Sequence, residues 1–160
     1  MAATINLHLT GGAANADPNL SLGGVHSSVQ MSGVAMNNLF DDVGAAEAVA
    51  GNTEYRAIDL TNAGDALATV VTAFMDPDSS SADTQVDFGI EASPIGSTLS
   101  IADESTAPAG VAFAHYTAAA PLAVPDIAAG AYARLWVRRL VGAAAGNSNN
   151  DSGIIVVEYA

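Results

Sequence analysis

The chain has 160 residues, 50% hydrophobic and 13% charged, a composition that folds rather than stays disordered and a length that suits one domain over 1–160. Seventeen acidic residues stand against four arginines and no lysine, giving a formal net charge of -13; nucleic acid and anionic membranes are then unsuitable partners, because phosphate binding needs cations. With no cysteine, disulfides, thiolate zinc sites and thiol nucleophiles are excluded.

In chain order, Ile5, Leu7 and Leu9 alternate with Asn6, His8 and Thr10, which predicts a strand. The residues before it carry no basic region and no continuous apolar run, so no secretory signal is expected, and no stretch reaches the roughly 20 apolar residues of a membrane span. From Gly11 to about Ala50 the chain is rich in Gly, Ala, Asn, Ser and Asp, with short apolar pieces at 25–31 and 34–40. This long irregular N-terminal segment reads either as a loosely structured interaction arm or as an ordinary connection. Within it, 42–50 has the composition for one or two helical turns, weakened by Gly44 and Val49.

Thr53 to Leu60 alternates again, with Arg56, Ile58 and Leu60 on one face and Tyr55, Ala57 and Asp59 on the other. The turn residues Thr61 to Asp65 and the apolar run Leu67 to Met75 then predict a hairpin. Pro77, the serines and the aspartates make 76–83 a loop. Strands follow at Gln85 to Ile90, with Val86, Phe88 and Ile90 inward, then a weaker one at 97–102, then Val111 to His115. Pro121 and Pro125 argue against regular structure until Ala131. The strongest strand is Ala131 to Leu140, with Ala133, Leu135 and Val137 on one face and Tyr132, Arg134, Trp136 and Arg138 on the other. Ile154 to Tyr159 closes the series, after a polar turn at 146–153. Seven to nine strands with almost no helical pattern predict an all-β, antiparallel β-sandwich, immunoglobulin-like or jelly-roll. Four Phe, four Tyr and one Trp allow only a thin core, one that neighbouring subunits could supplement.

Catalytic chemistry finds little to work with. There is no G-x-S-x-G elbow, Walker loop or G-x-G-x-x-G, and His8, His26 and His115 are not paired by spacing. The adjacent carboxylates Asp41-Asp42 and Asp103-Glu104 face opposite ways if extended, so neither makes a glycosidase pair. No enzyme activity and no cofactor are expected. Calcium has two candidate loops, one with Asp76, Asp78 and Asp83 and one with Asn149, Asn150 and Asp151, but neither follows an EF-hand pattern and both also read as solvated turns. The N-x-S sequons at Asn19 and Asn150 read as chance matches.

The stretch Arg134-Leu135-Trp136-Val137-Arg138-Arg139 is the richest in interface chemistry, since Arg and Trp are enriched where proteins meet. Two readings stand: the stripe of Arg134, Trp136 and Arg138 docks the acidic loops of a neighbour, or Trp136 is core and the arginines pair internally. With Arg139, and with Leu39 and Phe40 of the N-terminal segment, these residues are the candidate protein interface.

Five segments resemble small virion structural proteins of tailed bacteriophages, of the head decoration or cement type. They are Asn38-Leu39-Phe40-Asp41-Asp42-Val43, Gly51-Asn52-Thr53-Glu54-Tyr55-Arg56, Ala102-Asp103-Glu104-Ser105-Thr106-Ala107-Pro108, Leu135-Trp136-Val137-Arg138-Arg139 and Asn149-Asn150-Asp151-Ser152. The resemblance implies a β-sandwich on the outside of an icosahedral head, made in the host cytoplasm, that binds the major capsid protein and reinforces contacts between its copies. A dimer or trimer on the lattice would fit. Other virion roles compete: a tail or baseplate module that binds a receptor or carbohydrate, or a tail-tube or connector subunit.

Overall fold

The computed structural model describes residues 1–34, 37–148 and 151–160. Among them run nine strands and one short helix: β1 (Ile5–Thr10), β2 (His26–Gln30), α1 (Ala45–Ala50), β3 (Asn52–Asn62), β4 (Thr72–Met75), β5 (Thr84–Ile90), β6 (Ala112–Ala114), β7 (Leu122–Ala123), β8 (Tyr132–Val141) and β9 (Ile155–Glu158). They form two antiparallel sheets, a large one in the order β2-β1-β3-β8-β5-β6 and a small one in the order β7-β4-β9. The chain is therefore an all-β sandwich.

Alternation sets which residues fill the gap. Leu7, Ile58, Leu60, Phe88, Ala133, Leu135 and Val137 come from one face of the large sheet, and Ala73, Met75, Leu122, Ile155 and Val157 from the small one. Ile58, Leu60, Phe88, Leu135 and Val137 are fully buried, each stabilising the fold by about 1.5–3 kcal/mol. The sheets carry the faces that the alternation of β3, β5 and β8 predicts.

The expected hairpin of Thr53–Leu60 with Leu67–Met75 does not form, because β3 pairs with β1 and β8 while β4 pairs with β7 and β9. Between them the chain crosses from one sheet to the other. The buried Asn62 side chain directs the crossing: its amide donates to the carbonyls of Ala66 (2.7 Å) and Ile127 (2.8 Å), and its oxygen accepts from the Thr4 and Gly64 amides. Crossing places Ala73 and Met75 opposite Ile58 and Leu60 rather than beside them.

Residues 97–102 form no strand; Ser100 makes one isolated bridge with Gly23. Conversely, Leu122–Ala123 pairs with β4 despite the flanking prolines, because Leu122 and Val124 are drawn into the core. The segment 11–50 holds β2, a 3-10 turn at Pro18–Leu20, and α1. In α1, the Glu47 carboxylate accepts from the Gly44 amide (2.6 Å) and from the Asn52 side chain (2.9 Å), tying the helix to the start of β3. None of the helices among the described residues is long and apolar enough to cross a membrane.

Candidate functional site

The second face of the large sheet carries the polar and aromatic side chains, and the strand register arranges them in rows. One row runs His8, Asp59, Arg134 across β1, β3 and β8. The next runs Ala57, Trp136, Gly89, Phe113 across β3, β8, β5 and β6, and the third runs Tyr55, Arg138, Asp87. Directly opposed residues on one face touch, so each row is a chain of cross-strand contacts.

In the first row the Arg134 guanidinium straddles Asp59, with Nε donating to Oδ1 at 2.9 Å and Nη2 to Oδ2 at 3.0 Å, and Nη1 donates to the Leu99 carbonyl at 2.9 Å. His26 Nδ1 lies 3.0 Å from Asp59 Oδ2, and its ring stacks between His8 and Tyr132. Burial, and then the Asp59 carboxylate, raise the Tyr132 phenol above its ordinary range. Both Arg134 and Asp59 are fully buried.

The second row fits one large ring between two small neighbours. Ala57 and Gly89 flank Trp136 and leave room for the indole, which is sealed from solvent with Nε1 unpartnered. Gly23 closes over it: at φ +85° it lies so close that an added Cβ would stand 2.9 Å from Trp136 Cη2 and press on the Leu99 carbonyl. Gly89 is required for a different reason, since a Cβ there would meet Ala112 O at 2.8 Å and Phe113 Cδ1 at 3.2 Å.

The third row is partly open to solvent, at Tyr55 and Arg138. Arg138 pairs with the buried Asp87 through Nε (3.1 Å) and Nη2, while its side chain stays one-quarter exposed. Its guanidinium lies 5.1 Å from the Phe113 ring centre, and Phe113 meets Tyr55 at 5.3 Å with the rings tilted 57°. Gln85 donates to Asp87 (2.6 Å), and His115 reaches Val86 O (2.9 Å) and Asp78 (3.0 Å). Tyr55, Phe113 and Arg138 are all half-buried, so two rings and a cation share one patch.

Around the corner, on the core side of β3 and β8, lies a buried ionic cluster. Arg139 pairs with Glu54 and donates to the Asp41 carbonyl (2.6 Å); Arg56 donates to Glu104 (2.5 Å). Phe40 lies against both arginines, 5.5 Å from Arg56 and 4.9 Å from Arg139. Burial raises the Glu54 carboxyl above its ordinary value, and Arg139 partly offsets that. Glu104 is presented by a tight turn in which the Ser105 and Thr106 hydroxyls hydrogen-bond Asp103, holding that carboxyl below its usual range.

Of the residues that the sequence marks as an interface, Leu39, Arg134, Trp136 and Arg139 are buried with partners inside the chain, which corrects the docking stripe. For Arg134 and Trp136 the reason is the covering loop at Gly23 and 97–101, which takes the place of the strand expected at 97–102; Leu39 and Arg139 lie on the core side of the sheet. Phe40 is half-buried in the ionic cluster, and Arg138 alone of the stripe faces solvent. Tyr55 and Phe113, not singled out by the sequence, join Arg138 only through the β3-β8-β5-β6 order. The calcium candidates disperse: Asp78 engages His115, Asp83 accepts from the Gly146 amide (2.8 Å), and Asp76 is exposed. Among the described residues no three His, Cys, Asp or Glu side chains gather as a metal site; Asn149 and Asn150 lie outside those residues.

Chemically, the histidine rings bond to carbonyl and carboxylate oxygens of Ser27, Asp59, Val86 and Asp78, which orient a ring without supplying a nucleophile. What the patch offers is adhesion: aromatic area, a guanidinium, and hydrogen-bonding rims. No known protein family, curated protein or solved structure matches the chain.

Proposed function

We propose that this chain is a decoration or cement protein of a tailed-phage head, which docks on the major capsid protein through the Tyr55–Arg138–Phe113 patch. The observation that carries the proposal is a convergence. Four of the segments that resemble cement proteins, at 38–43, 51–56, 102–108 and 135–139, meet at one end of the sandwich. Tyr55 opposes Arg138, Arg56 binds Glu104, and Arg139 holds Asp41. Segments scattered along the sequence thus meet at one end of the large sheet, Tyr55 and Arg138 on its outer face and Arg56, Arg139 and their partners on its core side, where they support the patch from behind.

The electrostatics fit a protein partner. All four arginines are paired with carboxylates of the chain itself, which leaves the exterior acidic and unsuited to the packaged genome. A protein that binds only the assembled lattice stabilises that lattice by mass action, and many equivalent sites multiply a modest contact.

The test is binding of the purified chain to heads assembled without it, followed by cryo-electron microscopy. Density over the head lattice is expected, and Tyr55→Ala with Phe113→Ala should weaken binding roughly tenfold or more while the free protein stays folded. Density confined to the tail would replace this proposal with the tail-module one. The same patch bears on the carbohydrate-binding alternative, since it sets aromatic rings beside Arg138 and Gln85. The 57° tilt between the rings denies a sugar a flat platform, and specific retention on a glycan array would reverse that preference.

A further inference from the structure

We propose that His8 and His26 together bind one divalent transition-metal ion, with Nε2 of each ring as a ligand and water completing the shell. The proposal is independent of the phage-head one. The two residues lie on β1 and β2, and their spacing in sequence marks no site; pairing of the strands brings them together. Their ring centres stand 5.2 Å apart, with the planes inclined at 29°. Two imidazoles on one tetrahedral ion have centres roughly 5 Å apart, since metal–nitrogen bonds are about 2 Å long. The separation is that of a chelating pair.

Each ring is oriented as a ligand must be. His8 Nδ1 lies 2.9 Å from the Ser27 carbonyl oxygen, and His26 Nδ1 lies 3.0 Å from Asp59 Oδ2. A carbonyl and a carboxylate only accept, so Nδ1 carries the proton in both rings and the uncharged imidazole keeps its lone pair on Nε2. Metal-bound histidines use the same two kinds of acceptor on their second nitrogen, which fixes the tautomer and the ring. Among the described residues, neither Nε2 has a hydrogen-bond partner. His8 is only 9% exposed, so its Nε2 belongs to a buried ring and has no use inside the fold. Burying such an atom unpaired costs free energy, which a bound ion would recover. His115 shows the contrast: Nδ1 meets Val86 O at 2.9 Å and Nε2 meets Asp78 at 3.0 Å, leaving no nitrogen for an ion.

Charge does not oppose the ion. Arg134, the cation beside the pair, is bound by Asp59, and the chain as a whole, at net charge -13, concentrates divalent cations around it. Imidazole nitrogen selects Zn²⁺, Ni²⁺ or Cu²⁺ over Ca²⁺ and Mg²⁺, which take oxygen ligands. The His26 side chain, 28% exposed, gives an ion its way in and leaves room for the water ligands. On the other side of His26 the Tyr132 ring lies 4.6 Å away and nearly parallel, at 12°, which with Asp59 keeps the imidazole from swinging off.

Calorimetric titration of the purified full chain with Zn²⁺ in excess Ca²⁺ tests this. Saturable binding of one ion per chain is expected. His8→Gln and His26→Gln should each raise the dissociation constant roughly tenfold or more, while His115→Gln leaves it unchanged. Zn²⁺ should also raise the melting temperature of the natural chain, since an ion held only by the folded state stabilises that state. Nitrogen NMR of the histidine rings supplies a readout that a purely structural role would not move. As Zn²⁺ fills the site, Nε2 of His8 and of His26 should shift together while both Nδ1 protons persist. That measurement uses the natural chain, so it decides the matter even if a variant fails to fold. Absence of saturable binding in excess Ca²⁺ overturns the proposal. So does a shift confined to one of the two rings, or one centred on His115.

Discussion

Arg134 grips Asp59 with two hydrogen bonds, at 2.9 and 3.0 Å, inside a region that water does not reach. Without Asp59 the buried Arg134 charge loses its carboxylate, and without Arg134 the buried Asp59 keeps only His26, at 3.0 Å. Arg134→Met or Asp59→Leu should each lower stability by about 3–5 kcal/mol in urea denaturation, and the double variant should cost less than their sum. Additive losses would show that the two residues act separately.

Glu54 makes stability depend on pH in a set direction. Its folded value lies above the unfolded value of 4.5, so protonation is favoured by folding. The resulting contribution is complete below 4.5 and is lost as pH rises through the folded value. Relative to Glu54→Gln, the natural chain should therefore gain melting temperature as pH falls from neutral toward 4.5. Parallel curves for the two proteins would refute the assignment.

Gly23→Ala should be costly for a small change. It combines a strained left-handed backbone, at φ +85°, with contact against the Leu99 carbonyl and Trp136. A loss of about 2 kcal/mol or more is expected by chemical denaturation. A neutral substitution would mean that the covering loop yields easily.

Phe40→Ala removes the ring that sits against Arg56 and Arg139. Stability should fall by about 1–2 kcal/mol. Brief thermolysin digestion followed by mass spectrometry should also show faster cleavage between residues 32 and 44. Unchanged cleavage would mean that Leu39, not Phe40, anchors this stretch.

Much of the large sheet is legible from period-two alternation alone, because β3, β5 and β8 each bury one face and pair over many residues. Where burial was decided by something other than a strand, the sequence was silent. Nothing in Gly23 or in 97–101 announces a lid over Trp136, and so the stripe of Arg134, Trp136 and Arg138 reads equally as exposed or as internal. The loop between β3 and β4 shows turn chemistry but not its destination, because crossing to the other sheet depends on hydrogen bonds from Asn62 to residues near in space and far in sequence. The open patch is a product of topology: Tyr55 and Phe113 are 58 positions apart and meet only because β3, β8, β5 and β6 lie in that order.

Because each guanidinium is engaged by a carboxylate of its own chain, the molecule presents to its surroundings a shell of fixed negative charge wrapped in mobile counterions. Copies set closer together than about 10 Å must share that ion atmosphere. Dense packing should therefore fill more completely as salt is added, the opposite of a contact held by ion pairs.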